Sequence, residues 1–388
     1  MKSASTPVEG LNARVSRECH EPDWDSFLAQ CPGGHHEQTS LWGQVKGLYG
    51  WRTLRIIVSN SNRIVGGVQI ATRSLGRWAR IGYIARGPLA VSDDPQLADF
   101  ILAQLDRAAI SEKLTYLVVF PPNDGKMFEV GLIRLGFRQK PDHLPPGGVM
   151  TATLLLDLSA DLESLRAGMK KRMRQHLRRA ECAGVTVREG TTLDDVETFR
   201  QLMWALCARR GTSPAPPRKN FFENLWQIFK PSDSVRLFIA ELNGCPVAAA
   251  FTFPFGDTIR FWKVGWAGDH AESSPNAILY WEAIRWSKRN GYRIFDFVDI
   301  GYDLAVSLTK GESPGEASMD GMSFFKVGFG GKPILLPQPY YRIYHPLLRT
   351  CAQAGGTRLI ESTAFAGLVR RMWNQRTYVS LSGHSVER

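Results

Sequence analysis

Met322-Ser323-Phe324-Phe325-Lys326-Val327-Gly328-Phe329-Gly330 sets one lysine among phenylalanines, with glycines close by. A lysine in that company loses hydration, so its charge acts more strongly on a nearby oxyanion or phosphate. Glycine lets backbone approach a ligand closely. Lys326 and Phe325 are therefore candidates for a reacting centre. The plainer reading is a strand-to-turn segment whose lysine reaches water past its aromatic neighbours.

Further cations are placed where an anion would suit them. The stretch from Leu162 to Ala183 reads as one amphipathic helix ended by Gly184. Leu165, Met169, Met173 and Leu177 step by four along one face, while Lys171, Arg174 and Arg178 gather on the other beside Lys170, Arg172 and Arg179. Glutamates are nearly absent here, so pairing within the helix does not neutralise the stripe, which suits phosphate or RNA. A solvated charged face is the alternative. Arg218 precedes a helix starting near Phe221, and a cation at that positively polarised end invites an anion. Lys46 lies near the end of a short helix that Thr39 or Ser40 caps, where the dipole alone also favours a lysine. Asp296 and Asp299 alternate with Phe295 and Phe297 and are expected on one strand face. Either is a candidate to accept a proton, with a structural carboxylate at a strand end as the plainer reading.

These residues must be positioned by a chain of 388 residues, which exceeds the size of one ordinary core and implies two domains. A formal charge of +11 favours an anionic partner such as RNA, a nucleotide-linked substrate or an acidic membrane surface. The six cysteines show no C-x-x-C spacing and no metal-ligand interval with histidine, so reduced thiols, no metal and a cytoplasmic setting are expected. No signal-peptide apolar segment or membrane-length run is present.

The order of elements repeats. Strands Thr53–Ser59, Ile64–Ala71 and Ala79–Ile84, a helix from Pro95 to Ser111 and the apolar run Tyr116–Phe120 form one block. Val235–Glu241, Val247–Phe253, Ile259–Trp266, helix Asn276–Asn290 and strand Arg293–Asp299 repeat it at matching intervals. Two similar α/β (α+β) lobes follow, each a mixed, mostly antiparallel sheet flanked by helices. Residues 1–148 would form the first, with 141–148 as a turn-rich connector. Residues 149–388 would form the second, including the basic helix 162–183 and a tail, 337–388, that packs on its own domain or lies on a membrane surface.

This order looks like tandem GCN5-related acyltransferase (GNAT) folds. With Gln38 to Lys46, Arg86-Gly87-Pro88, the helix through Arg174 to Gly184-Val185, and Phe325-Lys326, residues 14 to 345 resemble the FemABX peptidyltransferases of the smaller, FemX type. The resemblance implies a cytoplasmic enzyme that moves an amino acid from aminoacyl-tRNA onto an amine of a peptidoglycan precursor or a related phosphate-bearing peptide. It carries the family's precursor-phosphate lysine onto Lys46 and its phosphate-binding arginine onto Arg218. A tyrosine four residues beyond that arginine becomes Phe222, without a hydroxyl. The pair that meets the RNA 3′ end falls on Phe325 and Lys326.

An ester between an amino acid and ribose is already activated, so orientation and charge stabilisation suffice for its transfer. No cofactor is then needed, aminoacyl-tRNA being a co-substrate. A coenzyme A-dependent N-acyltransferase acting on a small-molecule amine is the alternative, but Leu89–Leu97 and Gly268–Ile278 lack the usual glycine spacing for a pyrophosphate loop. An RNA-binding protein with degenerate lobes is a third class.

Overall fold

The computed structural model describes residues 10–76, 79–123, 125–140, 150–214, 218, 220–312, 321–346 and 349. The chain divides into two compact units, one comprising Met1–Val149 with the segment from Pro337 onward, the other Met150–Leu336.

The first unit contains strands β1 (Leu11–Ser16), β2 (Arg52–Asn60), β3 (Arg63–Leu75), β4 (Ala79–Ile84), β5 (Leu89–Ala90), β6 (Tyr116–Val119) and β7 (Arg138–Gln139). Its helices are α1 (Pro22–Gln30), α2 (Ser40–Gly47), α3 (Pro95–Ser111) and α4 (Lys126–Arg134). Asp94 starts α3 by accepting from the Gln96 N–H, with Pro95 in the first turn, where a missing N–H costs nothing. The helix then lays Leu97, Ile101, Leu102 and Leu105 on the sheet, all of them buried.

In the second unit the strands are β8 (Ala152–Asp157), β9 (Thr186–Gly190), β10 (Arg236–Leu242), β11 (Cys245–Phe255), β12 (Thr258–Trp266), β13 (Ile294–Asp296) and β14 (Lys332–Leu335). Its helices are α5 (Leu162–Ala167), α6 (Lys171–Cys182), α7 (Leu193–Arg209), α8 (Phe221–Phe229), α9 (Pro275–Arg289), α10 (Tyr302–Lys310) and α11 (Gly321–Val327). The sheet runs β14-β8-β13-β12-β11-β10-β9, antiparallel except where β12 meets β13. The apolar face of α6 and the length of α9 cover it through Met173, Leu177, Ile278 and Tyr280.

Both sheets are mixed and mostly antiparallel, as expected, but three expectations are corrected. The tail does not stay with the second lobe: β15 (Tyr340–Ile343) enters the first sheet between β6 and β7, giving the order β1-β2-β3-β4-β6-β15-β7. Tyr340 and Tyr341 are buried there, which binds the strand more firmly than a surface tail would be. The connector 141–148 and nearly all of the tail beyond Pro346 lie outside the described residues.

Nor is the basic segment one helix. It breaks at Gly168-Met169-Lys170, where the Lys170 N–H leaves the helical ladder to donate to Gly328 O at 2.9 Å. The Arg174 guanidinium donates to the freed carbonyls of Ala167 and Met169, capping the break.

The expected strand Arg293–Asp299 ends at Asp296, and Val298 and Asp299 both take left-handed backbone angles, with φ of 55° and 37°. Asp296 and Asp299 therefore do not share a strand face. Among the described residues no helix is long and apolar enough to cross a membrane.

Candidate active site

β12 and β13 pair in parallel over only Thr258–Arg260 with Ile294–Asp296. Beyond Arg260, β12 continues to Trp266 without that neighbour, so the two chains part like the arms of a V. Backbone groups on such an edge are available to a ligand. The edge is also bulged: Phe251 faces Lys263 and the next residue, Thr252, faces Phe261, which leaves Trp262 as the extra residue. The bulge brings the Trp262 ring to Phe221, Phe222 and Phe253.

On one side of this edge lies a cavity of about 310 Å³, walled by Val264, Trp266, Asn276, Tyr280, Arg210 and Phe325. The start of α9 forms one end of it. Pro275 occupies the first turn, and the positive end of the helix dipole therefore faces the space. Asn276 presents a buried Oδ1 with no hydrogen-bond partner among the described residues. Tyr280 supplies an apolar floor, its ring 5.5 Å from that of Phe325 and 5.4 Å from that of Phe329.

A second cavity, of about 350 Å³, adjoins the first and is lined by Lys170, Arg172, Met173 and Phe324. His176, Gly321 and Phe325 border both. His176 Nδ1 lies 2.9 Å from Ser274 Oγ. Burial, with Arg179 and Arg172 adding to it, pushes this imidazole below its ordinary pKa and favours the neutral ring at pH 7. The arrangement suits a compact group in the inner cavity continuous with an anionic chain outside it.

Comparison with known proteins gives this geometry its kin. The acetyltransferase (GNAT) domain model matches residues 167–304, the stretch that contains the V, most of the first cavity's lining and half of the second's. Over 234 residues the chain is 25% identical to the lipid II:glycine glycyltransferase of Staphylococcus saprophyticus, covering 58% of this chain and 55% of that one. Over 301 residues it is 21% identical to the UDP-N-acetylmuramoylpentapeptide-lysine N(6)-alanyltransferase of Weissella viridescens, covering 75% and 86%. The crystal structure of FemX superposes with a TM-score of 0.74 at 16% identity, covering 85% of this chain and 97% of that chain. The chain is similar in sequence to these two transferases and in fold to FemX. It spans just over half the length of the glycyltransferase relative.

In this FemX-like fold the sequence-derived candidates fare differently. Phe325 stands where both cavities meet. Lys326 sits on α11 rather than on a strand, only 8% exposed, and its ammonium donates to the carbonyls of Val298 and Asp299, each at 2.6 Å. Lys170, Lys171, Arg174 and Arg178 are all exposed, and Lys170 borders the outer cavity. Arg174 is partly committed to the helix break.

Arg218 is half-buried just before α8, whose first residue follows an N-cap, Asn220, that makes no side-chain hydrogen bond. The helix end is thus open to an anion. Phe222, by contrast, is 1% exposed and packs between Phe199 and Phe251, with ring centroids 4.9 and 5.4 Å away. Its placement as a substrate contact is corrected: it is core. A Phe222→Ala variant is expected to lose about 3–5 kcal/mol in a chemical-denaturation experiment.

Asp296 is also structural. It accepts from Thr153 Oγ1 and from the Val298 N–H and lies 3.8 Å from Arg260, so its oxygens are already engaged. Asp299 is exposed. In the first unit, Lys46 near the end of α2 lies over the rings of Trp42 and Tyr83, 5.6 and 5.8 Å from their centroids. Burial lowers its pKa and Glu37 partly offsets this.

The sequence reading missed His176, Arg210 and Asn276 as residues of one cavity. Only Ser274-Pro275-Asn276 carried a local signal, a small polar residue before a proline at a helix start.

Proposed function

We propose that this chain transfers an amino acid from aminoacyl-tRNA to an amine of a phosphate-bearing peptidoglycan precursor. The observation that carries the reading is the pair of joined cavities at the open edge of β12: one lined by aromatic rings and a helix start, the other by Lys170 and Arg172. The names of the two relatives, a glycyltransferase and an alanyltransferase acting on peptidoglycan precursors, support the choice of reaction and acceptor.

The chain is an amide-bond-forming acyltransferase. The aminoacylated terminal nucleotide occupies the inner cavity, with Phe325 against its base, and the preceding phosphates run along α6. The ester carbonyl meets the unpaired edge of β12, whose N–H groups stabilise the oxyanion as the amine attacks. Arg218, beside α8, binds acceptor phosphate, and Lys46 is proposed separately as a phosphate contact of the first unit. The reaction is placed in the cytoplasm, where aminoacyl-tRNA is made.

The deciding experiment supplies a labelled amino acid on tRNA together with the UDP-linked muramoyl pentapeptide, with and without ribonuclease, beside a parallel reaction given acyl-coenzyme A. Product that disappears under ribonuclease supports the reading. Product formed only from acyl-coenzyme A would replace the donor. For Lys46 a narrower outcome is expected: Lys46→Met raises the acceptor KM about tenfold to a hundredfold with kcat nearly unchanged, because bound acceptor no longer has a charge-assisted hydrogen bond from the ammonium. An unchanged KM would remove Lys46 from the phosphate.

A further inference from the structure

An amine that attacks an ester becomes cationic and must shed a proton before the amide is stable. Among the described residues no aspartate or glutamate lines either cavity. Lys170, Arg172 and Arg210 line them as cations, and burial keeps the Tyr280 hydroxyl protonated. The remaining titratable group is His176. It is half-buried, and of the residues of α6 it alone borders both cavities.

The ring is held from a distance in sequence. A serine that starts a helix ordinarily turns its hydroxyl to an N–H of the first turn. Ser274, at the start of α9, makes no such bond; its backbone is left-handed, with φ of 53°. That geometry is unfavourable for a residue with a β-carbon, and where it persists the orientation of the residue matters. The buried Ser274 Oγ instead meets His176 Nδ1 at 2.9 Å, across 98 positions of chain. The other ring nitrogen, Nε2, has no hydrogen-bond partner among the described residues.

Resting on the transfer reading above, we propose that His176 is the catalytic base, carrying the proton of the attacking amine to the departing ribose oxygen, and that Ser274 is the positioning residue that holds its ring. The imidazole shares the junction of the cavities with Phe325, against which the terminal base is placed. It also shares the inner cavity with Val264 and Trp266 of β12, the strand edge where the ester carbonyl is placed.

The step balances without an outside reagent. The neutral amine forms a C–N bond to the ester carbonyl carbon and becomes cationic. His176 Nε2 takes one proton from that nitrogen, and the resulting imidazolium donates its Nδ1–H to Ser274 Oγ, since a hydroxyl oxygen accepts as readily as it donates. The C–O bond to ribose then breaks, and the departing oxygen takes the proton from Nε2. Products are the amide and a free ribose hydroxyl. Arg172 and Arg179, on the same helix, oppose a lasting charge on the ring and so favour the return of the proton. Glu272, in the turn before α9, is exposed and lies 3.7 Å from His270.

His176→Asn keeps a hydrogen-bonding group near the place of Nδ1 but has no nitrogen that takes a proton. It is expected to lower kcat for transfer to the pentapeptide lysine by about a hundredfold to a thousandfold. Its KM for aminoacyl-tRNA should stay within about threefold of wild type. The pH profile separates a base from a structural role. In wild type both the acceptor amine and His176 must be neutral, so log kcat/KM for the acceptor rises with a slope of about two below the pKa of His176 and about one above it. The break falls on the acid side of the ordinary histidine range. In His176→Asn the slope should be about one throughout.

Ser274→Gly accepts the left-handed angle without steric cost and removes only the hydroxyl. It is expected to lose about tenfold in kcat and to move the break to lower pH, because the imidazolium loses the acceptor of its Nδ1–H. Added to His176→Asn it should change nothing further. The same downward move should appear in an NMR titration of the His176 ring, which needs no substrate.

Wild-type kcat in His176→Asn, or a slope that stays at about two, would overturn the base role. An unmoved titration in Ser274→Gly would overturn the positioning role. A wild-type protein that forms no amide from aminoacyl-tRNA would overturn the transfer reading itself, and the titration would still decide whether Ser274 holds the ring.

Discussion

Val264→Trp is expected to transfer its amino acid about a thousandfold more slowly than wild type while melting within a few degrees of it. Val264 is half-buried on β12 and walls the inner cavity of about 310 Å³, much of which an indole would fill. The substitution adds volume to existing space rather than forcing it into packed core, so the cost to folding stays small. The cost to catalysis is large, because a displaced terminal nucleotide loses the alignment that converts a bimolecular reaction into an effectively unimolecular one. Affinity for whole tRNA should fall much less, since the cations along α6 remain. Kinetics and filter binding on one preparation separate the two effects. A variant that transfers at the wild-type rate would place the activated ester elsewhere.

The second large effect concerns α6. Neutralising Lys170, Lys171 and Arg178 together, each to glutamine, should weaken tRNA binding about a hundredfold at low salt. It should also flatten the plot of log affinity against log salt by about two to three units, roughly 0.7 to 0.9 for each phosphate that is no longer neutralised. Arg174 is left in place because its guanidinium closes the break before the helix. A slope equal to that of wild type would mean that these exposed cations face water alone and that RNA takes another route.

The contrast between what the sequence revealed and what it concealed follows from the range of the forces involved. Hydrophobic period and turn chemistry are local, and they placed β2, β3, β10, β11, α3 and α9 close to their observed bounds. The same period concealed the break before α6. Leu165, Met169, Met173 and Leu177 are buried on both sides of it, so the apolar register runs straight through a point where the backbone does not. The break depends on Gly328, far along the chain, and no local pattern contains that partner.

The site shows the same division. Phe325 and Lys326 stood out because an aromatic run around a lysine is unusual in itself. Asp299 was noticed but assigned to a strand face with Asp296, although residues three apart on a regular strand point to opposite faces; the strand in fact ends at Asp296, and Val298 and Asp299 turn left-handed beyond it. Phe222 was placed at the substrate by position, whereas Phe199 and Phe251 take it into the core. Arg210, His176 and Asn276 come from three different helical neighbourhoods, and each is ordinary until the fold brings them to one cavity.

The return of β15 to the first sheet has a consequence for biosynthesis. The partner that completes β6 and β7 is encoded after the whole of the second unit, so a nascent chain must carry an unfinished sheet edge through the translation of roughly two hundred further residues. The second unit has no such wait: its opening strand meets its closing one directly, Ala152 against Leu335. Order of emergence from the ribosome thus favours maturation of the later-encoded module first, and a messenger truncated just after Leu336 would yield a sound inner module joined to an outer one prone to clumping.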